Sequence, residues 1–163
     1  MDDILNGSVV SMAAAIRQGD VSSVELTNAF IGRIEAVNPK LNALVMPTFD
    51  LARKYAKRAD QDLAKGDIHG VLHGVPMTMK DSLDTLDAVT TWGTLGRKDF
   101  RPGADATAVA RLRNEGAVLL AKTNTPEFTL SFKTDNLVYG PTRNPHDLER
   151  TPGGSSGGAA ALI

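Results

Sequence analysis

Ala117-Val118-Leu119-Leu120-Ala121 is a compact apolar run directly after Gly116, and it constrains the fold more than any other stretch of the sequence. It is too short for a helix and has no polar alternation, which predicts a strand buried on both faces. Asp105 is placed to cap a preceding helix that carries Val109 and Leu112 and closes at Gly116. Helix, glycine and buried strand in that order imply an α/β unit. The expected fold class is therefore α/β, a mixed β-sheet covered by helices.

The first third reads as helix. Val9, Met12, Ala13 and Ile16 recur at helical spacing before Gly19. Ser22-Ser23-Val24-Glu25 has the form of a capping box, in which Ser22 accepts from first-turn amides while Glu25 reaches back. It opens a helix with the stripe Leu26, Phe30, Ile34 and Val37, expected to stop at Asn38-Pro39. Leu41–Met46 reads as a strand ended by Pro47, Phe49–Lys65 as a helix ended by Gly66, and Val75–Met79 as a strand running into Lys80. The basic residues Arg53, Lys54, Lys57 and Arg58, interleaved with alanine, read as the solvated face of their helix.

Composition removes several function classes. Eighteen Lys+Arg against nineteen Asp+Glu leave a net charge of −1, with no basic block to hold nucleic acid or an acidic membrane surface. The absence of cysteine excludes disulfides, thiolate metal sites and a cysteine nucleophile. His69, His73 and His146 lie near glycine or proline without metal-ligand spacing and read as incidental, so no metal is expected. The acidic start and the lack of an apolar run of ~18 residues point to a cytoplasmic chain without a leader or a membrane span.

The chemistry is concentrated near the end. Pro152-Gly153-Gly154-Ser155-Ser156-Gly157-Gly158 runs straight into Ala159-Ala160-Ala161-Leu162-Ile163. Glycine/serine runs are usually flexible linkers, but this one leads into what reads as the first turns of an apolar helix. A phosphate-binding loop needs a Lys-Ser or Lys-Thr pair that is missing here. A nucleophile elbow, Gly-x-Ser-x-Gly, is matched with either Ser155 or Ser156 at its centre, yet no acid or histidine follows. A serine–lysine pairing is the third reading. A lysine amine with an ordinary pKa of ~10.4 acts as a base only when burial or a nearby cation lowers that value. Lys80, leaving the apolar strand, is one candidate, and Lys122, behind Leu119-Leu120-Ala121, is its rival.

Four blocks in register then carry a resemblance. Gly74-Val75-Pro76-Met77-Thr78-Met79-Lys80-Asp81 is followed by Ala121-Lys122-Thr123-Asn124 with Glu127-Phe128. Next come Gly140-Pro141-Thr142-Arg143-Asn144-Pro145 and the segment from Pro152 to Gly158. Together, and over essentially the whole chain, they resemble the amidase signature family, which hydrolyses or transfers amide bonds with a Ser-cisSer-Lys triad. The resemblance implies that Lys80 is the triad lysine and Ser155 the cis serine, with a cis peptide between Gly154 and Ser155. It places the attacking serine in a later glycine-rich stretch, beyond Ile163.

Residues 1–163 are accordingly expected to be the N-terminal part of a single amidase domain, cut within its catalytic core. The covering for Ala159–Ile163 is expected to be missing with the rest, and this length alone to be inactive. Ser156 is expected to serve packing of the loop. Ser131 resembles a position near the substrate, with a loop-capping hydroxyl as the competing reading. The stretch Ser131-Phe132-Lys133-Thr134-Asp135-Asn136 looks more like stand-alone amidases than like the amidase-type subunits of glutamyl-tRNA amidotransferases. The resemblance implies chemistry without a metal or organic cofactor, and the expected partner is a small-molecule amide, with no direct nucleic-acid contact and with room for a homo-oligomer.

Overall fold

The computed structural model describes residues 2–163. In chain order it contains α1 (Asp2–Leu5), α2 (Val9–Gln18), α3 (Ser23–Leu41), β1 (Leu44–Pro47), α4 (Phe49–Leu63) and β2 (Pro76–Lys80). α5 (Thr107–Asn114), β3 (Val118–Thr123) and the single-turn α6 (Gly157–Ala160) complete it. The three strands form one sheet in the order β1-β3-β2. β1 pairs antiparallel with β3, Leu44 opposite Thr123 and Pro47 opposite Ala121. Beside β3 on the other edge, Val118 N–H donates to Val75 and Asp81 N–H to Thr123, so β2 and β3 run the same way. The sheet is mixed, and all six residues of β3 are buried.

The chain divides into two compact units, each drawn from three separated segments. The first comprises Met1–Arg33, Thr48–Met77 and Ala110–Leu120. Its core gathers Met12, Ala13, Ile16, Val21, Leu26 and Val75, with Phe30, Leu63 and Leu72 against them. The caps explain the helix boundaries. Gly19 closes α2 in the left-handed conformation, its N–H reaching the carbonyls of Ala15 and Ile16. At α3 the box is reciprocal: Glu25 N–H donates to Ser22 Oγ at 3.0 Å, and Ser22 N–H to Glu25 Oε2 at 2.9 Å. On α4, Ala52, Ala56 and Ala59 are buried while Arg53, Lys54, Lys57 and Arg58 face solvent. His73 connects two segments of this unit. It is 1% exposed, accepts His69 N–H at Nδ1 and donates from Nε2 to Ala59 O.

The second unit comprises Ile34–Pro47, Thr78–Val109 and Ala121–Ile163. Leu41, Ala43 and Ala161 form a small core, flanked by Val37 and Leu162. Two expectations are corrected here. α3 does not stop at Asn38-Pro39 but continues to Leu41. Proline forfeits a single amide, and Asn38 makes good the end: Oδ1 accepts Ala43 and Leu44 N–H while Nδ2 donates to Leu44 O. The apolar stretch after the serines is also partly covered within this chain, because Ala161 packs on Leu41 and Ala43. Its last residue, Ile163, is fully exposed. Ahead of α5, which begins at Thr107, the Asp105 carboxylate accepts Leu86 N–H at 2.8 Å.

Candidate active site

Lys80 ends β2, so its backbone is fixed by the sheet while its side chain emerges at the strand's carboxyl end. Its Nζ lies 2.7 Å from Ser155 Oγ and 3.0 Å from Ser156 Oγ. Partial burial lowers its pKa below the usual lysine value, because the ammonium loses hydration there. The structure thus brings together Lys80 and Ser155, and it adds Ser156, expected only to help pack the loop. The peptide between Gly154 and Ser155 is cis.

The serine–glycine loop is held by residues to which no role was assigned from the sequence. Thr125 Oγ1 donates to the Ser155 carbonyl at 3.0 Å. Thr134 Oγ1 donates to Gly153 O at 2.8 Å and accepts Gly157 N–H at 3.0 Å. Asn136 in turn donates to Thr125 O and Asn124 Oδ1, both at 2.7 Å. Thr125, Thr134 and Asn124 are fully buried, so these hydroxyls and amides replace solvent for a loop that has few side chains of its own. Gly158 is required by contact: a Cβ there would collide with the backbone of Asn124. Thr125 was signalled only by its place beside a matched block, and Thr134 only as a member of the stretch Ser131–Asn136.

Ser131 stands next to this loop by its backbone. A Cβ on Gly154 would lie 2.7 Å from the Ser131 carbonyl. Its hydroxyl accepts Lys133 N–H at 3.1 Å and so caps its own turn. Phe128 and Thr129, just before it, hold left-handed φ values of 50° and 62°, and Phe128 N–H donates to Trp92 O. Trp92 is itself left-handed at 55°. Strained non-glycine backbone of this kind concentrates at ligand-contacting turns. Leu130, Phe132 and Leu137 on the same segment are 84%, 92% and 81% exposed.

Lys122, the rival lysine, has other partners. Its side chain is fully buried, with Nζ donating to Leu83 O at 2.6 Å, Thr90 Oγ1 at 2.8 Å and Thr85 Oγ1 at 3.1 Å. Asp81 Oδ1 is 3.9 Å away. Burial brings its pKa down to about 8, against the pull of Asp81, Asp84 and Asp105. Asp81, also fully buried, accepts Thr91 N–H and the Thr91 hydroxyl, yet burial still raises its pKa. Among the described residues no group of three or more His, Asp or Glu is arranged to hold a metal ion.

Residues 25–163 match the Amidase family. The chain belongs to that family. A glutamyl-tRNA(Gln) amidotransferase subunit from Acidothermus cellulolyticus is 42% identical over 163 residues, covering 100% of this chain and 32% of the relative. An indoleacetamide hydrolase from Bradyrhizobium diazoefficiens is 44% identical over 156 residues, covering 96% and 30%. In three dimensions a bacterial aryl acylamidase of the amidase signature enzymes superposes with a TM-score of 0.90 at 35% identity, over 96% of this chain and 33% of that one. The mixed sheet with its helices is therefore the amidase signature fold, and the chain spans about a third of the length of the curated relatives it matches. Amidotransferase subunits and an indoleacetamide hydrolase match at nearly equal identity, so overall similarity does not select a branch.

Proposed function

We propose that this chain supplies the lysine and the relay serine of an amide hydrolase working through a serine acyl-enzyme. The observation that carries the reading is the 2.7 Å contact of the Lys80 amine with Ser155 Oγ, on a lysine that burial shifts toward its neutral form. Neutral Lys80 takes the Ser155 proton as Ser155 takes one from the attacking serine. That serine bonds to the carbonyl carbon of the amide. The proton then returns along the same path to the leaving nitrogen as the C–N bond breaks. Water releases the acid by the same relay. The attacking serine is assigned by the family resemblance to a later glycine-rich stretch, which leaves Lys80 and Ser155 as this chain's share of the triad.

The substrate class proposed is a small linear carboxylic amide, cleaved to an acid and ammonia or an amine. The segment Ser131–Asn136 and the indoleacetamide hydrolase relative support that choice. The amidotransferase relatives support a second reading, in which the acyl chemistry serves transfer of ammonia to misacylated tRNA with the help of partner subunits.

A chimera tests the proposal: this chain replaces the matching third of the Bradyrhizobium indoleacetamide hydrolase, and turnover of a primary amide is measured. Activity should appear in the chimera and not in the 163-residue chain alone. Lys80→Ala and Ser155→Ala should each lower kcat by ~10²–10⁴. A folded Lys80→Ala chimera with undiminished kcat would remove the lysine from the mechanism.

A further inference from the structure

Lys122 is the largest fully buried side chain of the second unit, and nothing in the proposed proton path uses it. An ammonium has three N–H donors and no acceptor. Here all three find neutral oxygens, on Leu83, Thr85 and Thr90. Each of those residues belongs to the segment that leaves β2 immediately after Lys80.

The links back to Lys80 are short. Leu83 N–H donates to the Lys80 carbonyl at 3.0 Å, closing a turn over Lys80-Asp81-Ser82-Leu83. The Lys122 ammonium grips the carbonyl of that same Leu83. Asp81, next in sequence to Lys80, is fastened on three sides. Its N–H goes to Thr123 O, its carbonyl accepts Trp92 N–H, and its carboxylate holds Thr91 while facing Lys122 at 3.9 Å. Neighbouring residues of an extended strand point to opposite sides. Whatever fixes Asp81 on the buried side therefore fixes the backbone from which Lys80 reaches the serines.

We propose that Lys122 is a positioning residue for Lys80, its ammonium gathering Leu83, Thr85 and Thr90 into a turn that holds the Lys80 amine on Ser155 and Ser156. The proposal rests on the reading of Lys80 as the base for its purpose, though not for its test. It divides two lysines by surroundings: Lys80 meets hydroxyls at a partly open strand end, whereas Lys122 meets a closed shell of oxygens. The charged groups around Lys122 are Asp81, Asp84 and Asp105, which favour its cation, and Arg97, which opposes it.

The experiment follows the Lys80 amine directly in this chain, without turnover. Lysine labelled with ¹³C at Cε is titrated by NMR, and the Lys80 signal is assigned by its loss in Lys80→Arg. The comparison set is wild type, Lys122→Met and Thr90→Val, each checked for its fold by circular dichroism. In both variants the Lys80 midpoint should rise by at least half a unit toward the ordinary lysine value as its amine leaves the hydroxyls for solvent. Thr90→Val keeps the Lys122 amine in the chain, so a rise there does not come from removal of that group. A folded Lys122→Met chain with the wild-type Lys80 midpoint would reduce Lys122 to a stabilising residue and overturn the proposal. Should Lys122→Met fail to fold, Thr90→Val decides by the same criterion. Failure of the base reading would look different: Lys80 would stay positioned, while Lys80→Ala in the chimera stayed active.

Discussion

Lys80 and Ser155 are 75 positions apart in the chain and 2.7 Å apart in space. The contact joins the end of a sheet strand to a loop almost without side chains, so each partner depends on a different kind of support. The strand end is fixed by backbone pairing, and the loop by the buried hydroxyls of Thr125 and Thr134.

The first expectation concerns pH and rate. A lysine base works only when neutral, and burial moves the Lys80 pKa downward. In the chimera, kcat/KM should therefore climb with rising pH to a plateau, with a midpoint below the ~10.4 of a free lysine. Lys80→Arg keeps a cation that does not deprotonate in this range, so it should lower kcat by ~10²–10⁴ at every pH. Measuring kcat/KM from pH 6 to 10 decides it, and an Arg variant with a wild-type profile would contradict the assignment.

Lys122 should leave a signature in stability. Its pKa is about 8 in the folded chain, against 10.5 as the ordinary reference. Between those values the unfolded chain binds a proton that the folded chain does not, so stability rises with pH across that window. Below pH 8 the lysine is charged in both states and the effect is flat. Urea midpoints of wild type and Lys122→Met, taken at unit steps from pH 7 to pH 10, should show wild type gaining relative to the variant above pH 8. A constant gap would mean that the amine is not buried as described.

Thr134→Val tests the support of the loop. Valine has the right shape but neither donates to Gly153 O nor accepts Gly157 N–H. Leaving that buried N–H without a partner should cost ~1–3 kcal/mol. Hydrogen exchange should quicken at Gly157 while amides of α2 and α3 keep their wild-type rates. Thr134→Ser, which retains the hydroxyl, should restore most of the protection.

How much of this was legible in the sequence depends on the range of the interaction involved. The Ser22/Glu25 box and the Gly19 stop are local, and the structure places both where the sequence did. β3 was expected from its apolar run and is buried throughout, reaching two residues past the run because Lys122 and Thr123 are buried as well. That extension was hidden, since the burial of a lysine after an apolar stretch shows only once its oxygen partners, more than thirty positions away, are known. Pro39 misled for a related reason: the Asn38 side chain bonds that let α3 run on are visible only once Leu44 has folded back. Lys80 and Ser155 were singled out because four motif blocks agreed, whereas Thr125 lay between blocks and Thr134 sat in a stretch that was compared only for its branch of the family.

Gly158→Ala should be costly despite its small size. The added methyl would meet the Asn124 backbone and would lie 2.7 Å from the Ala43 carbonyl, neither of which is a flexible side-chain end. Overpacking of this kind costs ~1–3 kcal/mol. A lowered urea midpoint with an unchanged m-value would match that expectation, and a midpoint equal to wild type would show that the loop has slack.

Each compact unit is assembled from three separated stretches, the first ending its last stretch at Leu120 and the second at Ile163. On a ribosome, neither unit can close while the chain is still short. The α2–α3 layer must wait for β3 before its unit is complete, and residues 34–47 wait longer still for the serine–glycine loop. Non-local pairing of this kind slows folding and lengthens the time for which apolar surface stays uncovered. For the same reason, no single protease cut releases either unit as one continuous peptide. A nick in an exposed turn would leave interleaved pieces, held together by the same contacts that made them slow to meet.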